Sequence, residues 1–139
     1  MRKNILCIIL VGIITIITFQ GCIDSSNYQL KEEIDNIEYA EIADISYYGY
    51  AIDNIEVLAK LSAGEAQKLA REICLLKCKN VNPPEYDIKS ISAIFYYSDG
   101  SYEIISQRSN RYLVNDEPRY GYRVFEYDEF ANLLESAIN

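Results

Sequence analysis

The sequence predicts an α+β fold: a curved antiparallel sheet of about five strands with helices packed on one face. Three observations carry that expectation. Ile91, Ala93, Phe95 and Tyr97 alternate with Ser90, Ser92, Ile94 and Tyr96, and Ser98-Asp99-Gly100-Ser101 follows as a hairpin turn. Ala66, Leu69, Ile73 and Leu76 fall in one stripe at 100° per residue, with Ala70 beside it. Phe130, Leu133, Leu134, Ala137 and Ile138 repeat the helical spacing at the carboxyl end. An order of strands, helix, strands and helix is buried most simply by laying the helices on one sheet face.

In chain order, Ile37, Tyr39, Ala43, Ile45 and Tyr47 share one parity and predict a strand over 37–48. Tyr48 and Gly49 suggest a turn, with a short return strand at 50–52. Asp53 and Glu56 have the spacing of a capping box, which predicts a short helix over 54–60. Ser62 and Glu65 repeat that spacing ahead of a helix over 63–79, whose last turn carries Lys77 and Lys79. Asn80, Pro83 and Pro84 end it. After the strand at 89–97, residues 102–107 form its antiparallel partner, a third strand falls near 111–114, and 120–125 is the last before the terminal helix.

The chain has 139 residues, 13 basic, 21 acidic and no histidine, for a net charge of −8. Arg2 and Lys3 precede an uncharged apolar run from Ile5 to Phe19, the charge and length pattern of an export signal. That leader holds no acid, so the 118 residues after position 21 carry −10. The polar, acid-rich stretch 22–36 suits a tether, which divides the chain into a signal at 1–21, a tether at 22–36 and one domain at 37–139.

Phe19-Gln20-Gly21-Cys22 resembles the lipobox of bacterial lipoprotein precursors, in which a small residue precedes the cysteine. The resemblance covers about the first 22 residues and leaves the domain unassigned. It implies cleavage before Cys22, lipidation of that cysteine, and a lipid-anchored domain facing the extracytoplasmic side of a cell or outer membrane. The rival reading is an uncleaved signal anchor, since about 20 residues at 1.5 Å each just cross a hydrocarbon core of roughly 30 Å.

Without histidine, Ser-His-Asp and Cys-His catalysis and histidine-ligated metal sites are excluded within this chain. No phosphate-binding glycine motif or calcium loop is present, so no cofactor or metal is expected. The negative charge opposes nonspecific nucleic-acid binding, which relies on basic residues displacing counterions. Asp99 with Glu103, or Asp116 with Glu117, are the carboxylate pairs that could serve hydrolysis. Cys74 and Cys78 are candidates for a local disulfide, since four-residue helical spacing lies near the upper reach of that bond, or else for two inert thiols.

The best recognition patch is Arg108, Arg111, Tyr112, Arg119, Tyr120, Tyr122 and Arg123, where guanidinium forks and phenol rings interleave within 16 residues. Cross-strand pairing with Asp116, Glu117 and Glu126 is the competing role for these arginines. Thirteen tyrosines and no tryptophan also point to contact surfaces, and adjacent Tyr96 and Tyr97 must lie on opposite sides of their strand. These features favour a noncatalytic, membrane-tethered domain that binds an envelope or extracellular protein or an anionic ligand. A structural or assembly lipoprotein of the envelope is the alternative, with a small envelope hydrolase or thiol-redox protein behind it.

Overall fold

The computed structural model describes residues 26–48, 51–80, 89–106, 110–114, 117–121, 123–125 and 128–139, with Tyr47, Tyr48, Asn80 and residues 110–114, 117–121, 123 and 124 described through their backbone. Nine strands and two α-helices appear among them: β1 (Ser26–Asn27), β2 (Ile37–Tyr48), β3 (Ala51–Leu61), α1 (Ala63–Ile73), β4 (Lys77–Asn80), β5 (Lys89–Tyr97), β6 (Tyr102–Ser106), β7 (Asn110–Val114), β8 (Glu117–Gly121), β9 (Arg123–Phe125) and α2 (Glu129–Ile138). A single 3₁₀ turn, Ile34–Asn36, precedes β2.

The expected single curved sheet of about five strands is corrected to two separate antiparallel sheets, neither closed nor strongly curled. One has the order β3-β2-β5-β6-β7-β8 and the other β1-β4-β9. The physical reason lies in two short segments. Residues 77–80 leave the helical path and pair as a strand with both Ser26–Asn27 and Arg123–Phe125. The expected last strand therefore divides, with β8 forming one edge of the large sheet and β9 joining the small one.

Residues 54–60 are strand, not helix. Ile55 and Val57 suit a pleated surface, and β3 forms nine register pairs with β2, which outweighs the local Asp53–Glu56 pattern. Two bulges interrupt that pairing on the β3 side, at Leu58 and Asp53. The start of α1 matches its sequence signal: the Ser62 N–H and hydroxyl both donate to Glu65 Oε2, at 2.9 and 2.7 Å. Those bonds hold the Glu65 carboxyl below its usual range. Its end does not match, because α1 stops at Ile73 rather than 79. Leu76 still packs on the core from the following turn.

The principal core lies between the large sheet and the helices. Ile37, Ala40 and Ile42 of β2, Ala93 and Phe95 of β5, Leu69 and Ile73 of α1, and Phe130 and Leu134 of α2 are all buried in it. Tyr28 and Phe125 bring the small sheet into the same core. The tether expected at 22–36 is corrected over its described part. Ser26–Asn27 is a strand, Tyr28 is buried, and Leu30 and Ile34 pack against the core. The domain thus begins at or before Ser26 and not at residue 37. No helix among the described residues is long and apolar enough to cross a membrane. The leader and Cys22 lie outside the described residues.

Candidate functional site

Strand alternation gives the large sheet a second face, opposite the helices, and this face is apolar as well. Ala43 and Ile45 of β2, Ile94 of β5 and Ile104 of β6 form a buried cluster there, with Ile52, Tyr96 and Tyr102 packed against it. The register sets Val57 opposite Ala43 and Ile55 opposite Ile45, extending the surface onto edge strand β3. Tyr39, Ile55 and Val57 are 40%, 43% and 41% exposed, large values for apolar side chains on one sheet face. Between the rows lies an open hollow of about 230 Å³ lined by Ile52, Ile55, Ile94, Tyr96, Tyr102 and Ile104.

Aromatic geometry stiffens one end of this surface. The Tyr39 and Tyr96 rings stack at 4.4 Å and 13°, and Tyr102 tilts against Tyr96 at 6.3 Å. Tyr96 donates its hydroxyl to Glu41 Oε2 at 3.1 Å, while Lys60 Nζ meets Glu41 Oε1 at 2.9 Å. Both oxygens of this nearly buried carboxylate are therefore engaged. Its contact raises the Lys60 ammonium, through the hydrogen bond first and the charge second.

Burial, followed by the Glu41 charge and hydrogen bond, pushes the Tyr96 phenol up to about 12. The folded value exceeds the unfolded one of about 10, so the contribution of Tyr96 is complete below pH 10 and is lost as pH rises through 12. The melting temperature should accordingly hold steady to about pH 9 and fall above about pH 10. Melting curves of Tyr96→Phe should fall less steeply over that interval. An unchanged alkaline slope in that variant would remove Tyr96 as a cause.

The helix-side face carries a different constellation. Glu103 is fully buried and accepts from the Tyr28 hydroxyl on Oε1, and from the Tyr97 hydroxyl at 3.1 Å and the Lys31 N–H at 3.0 Å on Oε2. Burial, then the charge and hydrogen bond of Glu103, push the Tyr97 phenol strongly upward. Tyr96 and Tyr97 do lie on opposite sides of β5, one in each constellation. Glu103 acts as a clasp on the segment 28–31, a role its alternation with Ile105 hints at, since it puts an acid on core parity.

The carboxylate pairs considered for hydrolysis do not assemble where they can be followed. Asp99 Oδ1 accepts from the Ser101 N–H and hydroxyl, at 2.8 and 2.6 Å, in an exposed turn, whereas Glu103 is inside the core. Those bonds hold the Asp99 carboxyl low. Asp116 lies outside the described residues. Among the described residues, no group of three or more Cys, Asp or Glu is placed to hold a metal ion.

Of the two expectations for Cys74 and Cys78, a local disulfide or a pair of inert thiols, the structure holds two free thiols. Cys74 caps α1, and Cys78 points inward from β4, donating to the Ser26 carbonyl at 3.3 Å. The helical spacing assumed for the pair ends with the helix at Ile73. Burial raises the Cys74 thiol, which disfavours the reactive thiolate.

The arginine and tyrosine cluster is distributed by the backbone register. Arg111 pairs with Ile104 and Tyr120, while Tyr112 pairs with Glu103 and Arg119. These are adjacent backbone rows of the large sheet. Arg123 belongs to the small sheet, opposite Asn80, so it does not share a sheet with Arg111. Arg108 and Tyr122 lie outside the described residues. Ile55 and Val57 were missed as part of the open face because they sit in the segment 54–60, predicted as helix. No protein-family model, curated protein or solved structure matches this chain.

Proposed function

We propose that this chain is an exported, lipid-anchored binding domain that acts without catalysis, with Cys22 as the anchor and the open sheet face as the receptor for an apolar segment of an envelope or extracellular protein. The observation that carries this reading is the exposure of Ile55 and Val57 beside the hollow between β3 and β6, with Tyr39 stacked on Tyr96 at its rim. A contiguous apolar surface that water would otherwise cover marks a contact site. The hollow, at about 230 Å³, is smaller than the roughly 300–1,000 Å³ of drug-sized ligand pockets, and fits one or two apolar side chains of a protein.

The edge of the sheet is less suited to binding than its face. Two bulges and the charges of Asp53, Glu56 and Lys60 interrupt β3, features that discourage strand addition. Around the hollow, Glu41 is already satisfied by Lys60 and Tyr96, which supports recognition rather than proton transfer. An anchor at Cys22 would confine the domain to the extracytoplasmic membrane surface and raise its effective concentration near a partner there.

A photoreactive residue at Val57 in the full chain, expressed in its host membranes, tests the reading. It should yield one discrete adduct with an envelope protein, and Ile55→Asp should reduce that adduct by roughly tenfold, as loss of a central contact does. Equal labelling with and without Ile55→Asp would overturn the site. Intact mass of the membrane-extracted chain tests the anchor: the expected product begins at acylated Cys22, and unmodified Met1 would overturn it.

A further inference from the structure

We propose that the end of the domain formed by β1 and β4 lies on the membrane, with Leu75 seated among lipid headgroups and Lys77 and Lys79 against anionic ones. This rests on the reading of Cys22 as the lipid-bearing residue. The first support is the small number of residues between Cys22 and the fold. Ser26 and Asn27 are already paired with Cys78 and Lys77. Tyr28 follows at once, its N–H donating to the Leu76 carbonyl at 3.1 Å and its hydroxyl to Glu103. Only Ile23, Asp24 and Ser25 separate Cys22 from this fixed point, a reach of at most about 14 Å. So short a link cannot let the domain tumble freely above its anchor.

The second support is the chemistry beside that fixed point. Leu75 is 72% exposed, the highest value among the exposed large apolar side chains described. It stands one residue from Leu76, in a turn closed by Leu75 N–H to the Glu72 carbonyl and Leu76 N–H to the Ile73 carbonyl. Lys77 and Lys79 share one side of β4, away from buried Cys78. From Lys68 to Lys79 there are four basic residues and one acid, in a chain whose net charge is −8. Arg71 is taken up by Asp35 at 3.3 Å, whereas Lys77 pairs with Asn27 close to where the described chain begins. The acidic stretch after Lys31 runs towards the β5–β6 turn, where the Asn36 carbonyl accepts from the Ser98 N–H. An exposed leucine flanked by lysines, at the point where the chain enters from a lipid anchor, fits a bilayer surface with anionic headgroups.

Because the chain has no tryptophan, Leu75→Trp creates a single fluorescent reporter at a site exposed enough to accept it. The full lipidated chain is reconstituted into phosphatidylglycerol and phosphatidylcholine vesicles with or without brominated acyl chains. The control is Ala63→Trp, about 15 Å away along α1. The emission at position 75 should shift to the blue and lose about half its intensity to brominated chains, as expected about 5–10 Å into the headgroup boundary. The control should keep its intensity, and adding Lys77→Glu with Lys79→Glu should restore emission at position 75. A chain that floats with the vesicles and carries acylated Cys22, yet shows no quenching at 75 or equal quenching at both positions, overturns the orientation and leaves the anchor standing. A chain that does not float and has an unmodified Cys22 overturns the anchor and, with it, this inference.

Discussion

Glu103→Ala is expected to lower the stability of the fold by about 3–5 kcal/mol, because it strips a buried cluster of the acceptor that three donors share. The Tyr28 hydroxyl, the Tyr97 hydroxyl and the Lys31 N–H all point at this carboxylate. The alanine side chain can accept from none of them. Tyr97→Phe removes one donor and leaves the acceptor supplied by two others, so it should cost about 1 kcal/mol. Glu103→Gln should fall between the two, since an amide keeps one accepting oxygen and turns its NH₂ towards donors. Urea unfolding of the three variants checks the order. A Glu103→Ala midpoint within experimental error of the wild type would remove the clasp from the account of this fold. The same variant should free residues 26–31, so their amide exchange should accelerate more than that of α1.

That clasp shows what local sequence can and cannot reveal. Ile91–Tyr97 and the Ser98–Ser101 turn are legible because period-two alternation and an Asp-Gly turn act over neighbouring residues; Gly100, at φ 85°, supplies the left-handed conformation that turn needs. The helical stripe from Ala66 to Ile73 and the Ser62 cap are legible for the same reason. Residues 23–36 look like a tether because their composition is polar and Tyr28 has no apolar neighbour in sequence. Its partner Glu103 is 75 positions away. Likewise, Lys77–Asn80 is strand only because Ser26–Asn27 and Arg123–Phe125 flank it from opposite ends of the chain. Helical periodicity through Leu76 was a real signal of burial, but it was no signal of where the helix stops.

The candidate sites divide along the same line. The arginine and tyrosine run is dense in sequence, yet a strand pair and a change of sheet separate its members: Arg111 aligns with Ile104, Tyr112 with Glu103, and Arg123 with Asn80. The open face is sparse in sequence, drawing two or three residues each from β2, β3, β5 and β6, and only the register gathers them. Tyr39 and Tyr96 become a stacked pair because β2 and β5 are neighbours and a bulge after Ile37 sets their register.

Phe130→Ala is the second change expected to have a large effect, at about 3–5 kcal/mol, because it empties the joint between the two sheets. Phe130 is buried on α2 and stacks on Phe125 of β9 at 4.5 Å and 7°. Phe125 in turn meets the Tyr28 ring at 5.3 Å, just beyond β1. Through this column, α2 holds the small sheet against the core shared with the large one. Truncation loses both the transfer free energy of a phenyl group and an aromatic contact worth roughly 0.5–1.5 kcal/mol. For a domain of this size the melting temperature should fall by roughly 10–25 °C. Phe130→Leu, which refills most of the volume, should recover more than half of that loss. Because the column ends at Tyr28, the alanine variant should also speed amide exchange in β1 and β4 more than in β5 and β6, loosening the end of the molecule nearest Cys22 while the open face stays formed. Uniform exchange across both sheets, with the same loss of stability, would mean that the two sheets unfold as one unit and that Phe130 supports the whole core instead of this joint.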